Sequence, residues 1–156
     1  MKALTLHAPW AWAICYLGKD IENRTWKPPA AMIGQRSAIH AGSPSMWKFR
    51  KWWEVYNTLK RKQPHPKIWR SYEQIFKCTD EEYAANRDSF WFAIVATAVI
   101  SEVREPQSAD DGWHVAGQYG WVLTDVQVLH EPVKCKGALG LWTVPADIET
   151  KMETRA

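Results

Sequence analysis

The sequence predicts an α+β fold: a small mixed β-barrel or partly closed curved sheet, with flanking helices and a helical insertion. Three observations lead there. Five or so strand-like segments are spread along the chain, the two longest near its end; a short, almost wholly apolar helix follows the first strand; and a helical stretch interrupts the middle. The regular strand-helix alternation of a doubly wound sheet is missing, as is any Gly-x-Gly-x-x-Gly or Gly-x-x-x-x-Gly-Lys-Ser/Thr loop, which argues against an ordinary nucleotide-cofactor enzyme. At 156 residues the chain has the size of one domain with one core, so residues 1–156 are read as a single unit.

The opening "KALTLHAPW" reads as a strand from Ala3 to Leu6 and a turn at His7-Ala8, with Pro9 suited to a first helical position because its missing N–H has no intrahelical partner to lose. "WAWAICYLG" continues that helix until Gly18 stops it. Being apolar all round, the helix is expected to lie buried against a sheet. Residues 20 to 25 follow as a strand, "PPAAMIGQ" as a turn-rich connection, and Arg36 to Ala41 as a further strand closed by Gly42.

The insertion occupies about residues 43–88. Ser43-Pro44-Ser45 is a plausible helix start, and Phe49, Trp52, Trp53, Tyr56 and Leu59 form one helical stripe with Lys48, Lys51 and Arg61 outside it. Beyond "QPHP", residues 67 to 88 read as further helical pieces, with Thr79 capping one of them. Residues 90 to 105 then form a long β-branched strand, and "QSADDGWHVAG" a loop or single turn. "QYGWVLTDVQVLHEPV" places Trp121, Leu123, Asp125 and Gln127 on one face and Val122, Thr124, Val126 and Val128 on the other. A strand around Leu139 to Thr143 and a helix from Ala146 to Glu153 complete the chain.

Composition narrows the function. Eleven tryptophans could serve a core, an interface or a base-stacking platform, and the net charge is +3. That charge is uneven: Lys48 to Arg70 carries eight basic side chains against the single Glu54, the footprint of a polyanion partner or else a merely solvated face. Lys48, Lys51, Lys60, Arg61 and Lys62 are the candidate nucleic-acid backbone contacts. Cys15, Cys78 and Cys135 are widely spaced and odd in number, and no His-Glu-x-x-His helix occurs, so neither a disulfide framework nor a dedicated zinc site is expected. A loosely held Mg²⁺ or Mn²⁺ would leave no such signature. With no secretory leader and no membrane-length apolar run, the expected location is cytoplasmic.

"GKDIENRTW", residues 18 to 26, concentrates charge of both signs beside an indole. On a strand, Asp20, Glu22 and Arg24 share one face, and Lys19 at the helix end reaches the same mouth. Such a cluster can bind the polar edge of a base and hold a phosphate beside it, with Trp10 and Trp26 as stacking faces. The alternative is that Glu22 and Arg24 simply brace the helix-to-strand junction as a buried pair.

"LTLHAPWAWAI", "GKDIENRTW", "AIHAG" and "YGWVLTDVQVLHEPVKCKGALGLW", taken in order, resemble the ASCH family (activating signal cointegrator homology), which is similar to the PUA-like β-barrels. The likeness covers most of the chain outside the basic helical region. The family signature falls on Gly18, Lys19, Glu22 and Arg24, with Gly and Lys adjacent here where one residue usually separates them. The resemblance implies a cleft lined by these charges. It also suggests His40 at the cleft, although a lone strand histidine is as often a core residue. Trp121 and Trp142 are read as core.

Two functions follow. One is a module that binds RNA or single-stranded nucleic acid and accommodates a base or nucleoside, unmodified or modified, in the cleft, while the basic insertion grips the backbone. The other is a hydrolase working in the same cleft through Lys19, Glu22 and Arg24, with His40 as a further acid–base group. It would be either a single-strand-specific ribonuclease, aided or not by Mg²⁺ or Mn²⁺, or an N4-acylcytidine amidohydrolase. For the amidohydrolase the resemblance calls for a Thr nucleophile three residues after the Lys, where this chain has Glu22. A protein-interaction adaptor would require the tryptophan-rich helix to be exposed.

Overall fold

The computed structural model describes residues 1–16, 18–42 and 90–152; the expected helical insertion and its basic residues lie outside them. Among the described residues, six strands form one curled mixed sheet, a half-barrel with two α-helices. β1 is Lys2–Leu6, β2 Ile21–Arg24, β3 Arg36–Ala41, β4 Ala93–Arg104, β5 Tyr119–Lys134 and β6 Leu141–Thr143. Helix α1 spans Ala8–Tyr16 and α2 Ala146–Glu149. The strand order is β2-β5-β4-β3-β1-β6, with β1 and β3 parallel and the other neighbours antiparallel.

Alternation along the strands sorts side chains onto two sides. Leu4, Leu6, Ile39 and Ala41 face the larger core, which α1 covers with Ala11, Ala13 and Ile14. Ala3, Ala38 and Ile94 face a smaller one with Leu129, Val133 and Val144, against which Ile148 of α2 packs. The expected burial of the apolar helix is met on one side only: Trp10, Trp12 and Cys15 are partly buried and Tyr16 is exposed. Gly18, with φ of 66°, turns the chain after α1, and the Lys19 amide donates to the Ala13 carbonyl at 3.1 Å. This reversal folds Lys19 back toward the helix it has just left.

Strands of 12 and 16 residues exceed the usual strand length and can curl only if their ladder is interrupted. Between β4 and β5 the register shifts at Ile94/Ala96, Thr97/Val99 and Ile100/Glu102. The expected strict alternation along β5 is therefore corrected. Trp121, Val122 and Leu123 are all buried, while the adjacent Thr124 and Asp125 are exposed. Asp125 takes the extra position with φ of 47°, and Arg36 clamps it by pairing with the carboxylate and donating to the Asp125 carbonyl at 3.0 Å. The terminal helix is also shorter than expected, ending at Glu149.

Curling brings β2, at one edge of the sheet, close to β1, fifth in the strand order. Arg24 of β2 donates from Nη2 to the Thr5 carbonyl of β1 at 3.1 Å. Among the described residues, no helix is long and apolar enough to cross a membrane.

Candidate functional site

Where β1 approaches β2, a cavity of about 530 Å³ opens, within the usual range for small-molecule sites. Its wall combines the end of β1 (Thr5, Leu6, His7), Trp10 of α1, Lys19, three consecutive residues of β2 (Glu22, Asn23, Arg24), Gly42, and two loops contributing Trp113, Val115 and Gln118, and Ala138, Leu139 and Gly140.

Lys19, Glu22 and Arg24, expected together from their spacing, do meet. Lys19 and Glu22 are buried, at 3% and 7% exposure. Lys19 Nζ donates to Glu22 Oε2 at 3.1 Å and to the Ile21 carbonyl, and lies 5.6 Å from the centre of the Trp10 ring. On the other side of the carboxylate, Arg24 Nε stands 3.1 Å from Glu22 Oε1. That is an ion pair by distance, but Nε lacks hydrogen-bond geometry to any acceptor. One carboxylate thus bridges two cations, leaving an excess positive charge at the cavity wall.

Burial pushes the Lys19 ammonium below its ordinary pKa because the charged form loses its hydration; neighbouring Glu22 opposes this through its charge and its hydrogen bond. The cluster is largely satisfied from within. Both Glu22 oxygens have partners, and two of the three Lys19 protons have acceptors. Arg24 alone keeps a free edge, at Nη1, with its side chain 22% exposed.

Other expected members lie elsewhere. Asp20 is exposed and does not line the cavity; its carbonyl accepts from Leu123 at 2.7 Å. Trp26 is also absent from the wall. It packs edge-on against Trp121 with ring centres 4.7 Å apart, and its carbonyl accepts the Trp121 indole N–H at 3.1 Å. Trp121 is fully buried, in keeping with a core role, whereas Trp142 is only partly buried.

His40, 1% exposed, sits behind the wall rather than in it. Its Nε2 bonds the Cys135 carbonyl at 3.1 Å, so that nitrogen carries the proton, and Nδ1 is left buried without a partner. Burial lowers its pKa below the usual histidine value, and the Cys135 carbonyl partly offsets this. Trp142 stands edge-on to the ring at 5.6 Å, and its indole donates to Thr5 Oγ1 at 3.0 Å. Gly137 closes the group: a β-carbon there would come within 2.5 Å of His40 Cε1 and 2.7 Å of Thr5 Oγ1.

Sequence reasoning missed Thr5, Asn23, Trp113 and Gln118. Asn23 pins the 113–115 loop, donating from Nδ2 to the Trp113 carbonyl and accepting the Val115 amide on Oδ1, both at 2.8 Å. Buried His114 holds the other end, with Nε2 donating to the Gln118 carbonyl at 2.7 Å. The available signal was a tryptophan and hydrogen-bonding residues in a glycine-flanked loop leading into a long strand. Among the described residues, no three His, Cys, Asp or Glu side chains converge as a metal site would need.

No protein-family profile matches the chain, and a search among curated proteins finds no significant match.

Proposed function

We propose that the cavity receives one base or nucleoside of an RNA or other single-stranded nucleic acid, and that the basic insertion holds the backbone of the same strand. The observation that carries this reading is a roomy, largely apolar cavity whose polar wall is cationic by one charge, with Trp10 and Trp113 beside it. Indoles supply stacking faces, and the free guanidinium edge of Arg24 suits a phosphate or a base oxygen. The ordered resemblance to the ASCH family and the basic run around Lys48, Lys51, Lys60, Arg61 and Lys62 support the same reading.

A gel-shift titration with labelled single-stranded RNA, with and without Mg²⁺ or Mn²⁺ and read also for product length, tests it. Trp10→Leu should weaken binding roughly 5- to 150-fold, the range for loss of one base-stacking contact. Charge reversal at Lys51 and Arg61 should flatten the salt dependence without changing base preference. Binding that is indifferent to Trp10→Leu would refute a base in the cavity.

One observation favours hydrolysis as a second reading. A lysine whose pKa is lowered by burial is partly available as a neutral base below the ordinary lysine range, and Lys19 stands at the cavity wall. Shortened RNA products that vanish in Lys19→Met, while binding persists, would establish it.

A further inference from the structure

We infer that Gln118 recognises the base, by pairing its carboxamide with an edge that presents a donor beside an acceptor, and that the ligand is a nucleotide unit, free or within RNA. This inference rests on the base-receiving reading above. Its starting point is which polar groups of the wall remain uncommitted. Lys19 and Glu22 satisfy each other, and both ends of the Asn23 carboxamide are spent on the 113–115 loop. Thr5 Oγ1 accepts from Trp142 and keeps its O–H, but a single hydroxyl cannot set a donor beside a separate acceptor as a carboxamide does. Arg24 has Nη1 left, a donor only.

Gln118 is the exception. It lines the cavity half-buried, and its carboxamide, both donor and acceptor, makes no hydrogen bond among the described residues.

Its backbone is fixed nonetheless. The carbonyl accepts from His114 Nε2, and the amide donates to the Val115 carbonyl at 3.3 Å. The next residue, Tyr119, begins β5 and pairs with Arg24 across the sheet. A free carboxamide is thereby held one position from the strand partner of the free guanidinium edge. A side chain placed by rigid neighbours loses less freedom on binding. Glutamine makes two parallel hydrogen bonds to a base edge with adjacent donor and acceptor, as adenine has. Each of the four bases offers such an edge once it leaves a duplex, so a carboxamide beside Trp10 and Trp113 can pair with any of them, whereas ribose 5-phosphate, which has no base, would leave it unpaired.

Gln118→Glu replaces the donor-acceptor pair with two acceptors, which complement adjacent donors such as guanine N1–H and N2–H. The experiment titrates the full chain by tryptophan fluorescence with AMP, CMP, UMP, GMP, ribose 5-phosphate and short single-stranded oligonucleotides. It compares wild type, Gln118→Ala and Gln118→Glu. The wild type should bind nucleotides more tightly than ribose 5-phosphate. Gln118→Glu should weaken AMP relative to GMP on the order of 10-fold or more, and Gln118→Ala should weaken all four nucleotides together. Ribose 5-phosphate affinity should not move. The same reordering on mononucleotides identifies free nucleotides as ligands; reordering confined to oligonucleotides identifies a base within a chain. Nucleotide affinities unchanged in both variants, with the wild type binding well, overturn the role of Gln118 but leave the cavity reading standing. A folded wild type that binds neither nucleotide nor oligonucleotide overturns both.

Discussion

Replacing Glu22 with glutamine tests whether one carboxylate neutralises two cations. In the wild type the buried Lys19 ammonium has Glu22 Oε2 at 3.1 Å, with Arg24 Nε 3.1 Å from Oε1. Glutamine keeps nearly the same shape and can still accept from Lys19, but it removes the charge. Loss of one partner from a buried pair costs about 3–5 kcal/mol. The retained acceptor and the partial exposure of Arg24 argue for the lower end, about 3 kcal/mol. For a chain of this size that corresponds to a fall in Tm of roughly 6–12 °C.

The pH dependence identifies the cause. Lys19 has a folded-state pKa below its unfolded value, so the folded protein releases the proton first as pH rises. Once Lys19 is neutral it needs no counter-charge, and the deficit of Glu22→Gln should shrink on going from pH 7 to pH 10. Urea unfolding of both proteins across that range measures it. A deficit below about 0.5 kcal/mol at pH 7, the size of an ordinary surface substitution, would refute the bridging role. A deficit constant to pH 10 would show that Lys19 is not its source.

Other consequences follow from the cavity's surroundings. Gly137→Ala should cost about 1–3 kcal/mol by overpacking, since its methyl would meet His40 and Thr5 well inside contact distance; thermal unfolding checks this. His40 has a depressed folded-state pKa, so the unfolded chain takes up a proton first as pH falls. Its contribution to stability should decline below about pH 6.5 and level off beneath the folded value. His40→Gln, which can keep a donor to the Cys135 carbonyl, should remove that part of the slope in a Tm-against-pH series. Asn23→Ala should raise hydrogen exchange at the Val115 amide and cost about 1–3 kcal/mol, because two backbone groups lose their partner together.

What could be read from the sequence, and what could not, divides along contact distance in the chain. The strand Arg36–Ala41 was legible because it is a short segment set between a turn-rich connection and Gly42, and the first helix because its apolar composition and its Gly18 stop are local. Lys19, Glu22 and Arg24 were legible as a group because a helix stop followed by a strand brings near neighbours together whatever the rest of the chain does. Trp26 was expected just past the strand as a stacking face for the same mouth. The strand ends at Arg24, however, so the alternation that would have aimed Trp26 into the cavity does not extend to it, and Trp121 takes up its face. His40 shares the side of its strand with Ala38, where Trp142 and Cys135 pack, and so it backs the wall. The opposite wall depends on distant partners. Asn23 meets Trp113 and Val115 only after β5 has paired with β2, and no local pattern announces that. The bulges that curl β4 and β5, with Asp125 in a left-handed conformation against Arg36, decide whether the two walls close to a cavity's width at all. The charged group was therefore visible early because it is local, and for the same reason its members are mostly bonded to one another. Of the wall groups left free, Arg24 Nη1 belongs to that local cluster, whereas the Gln118 carboxamide reaches the cavity from far along the chain, which is why the proposed base contact is sought at Gln118 rather than at Glu22.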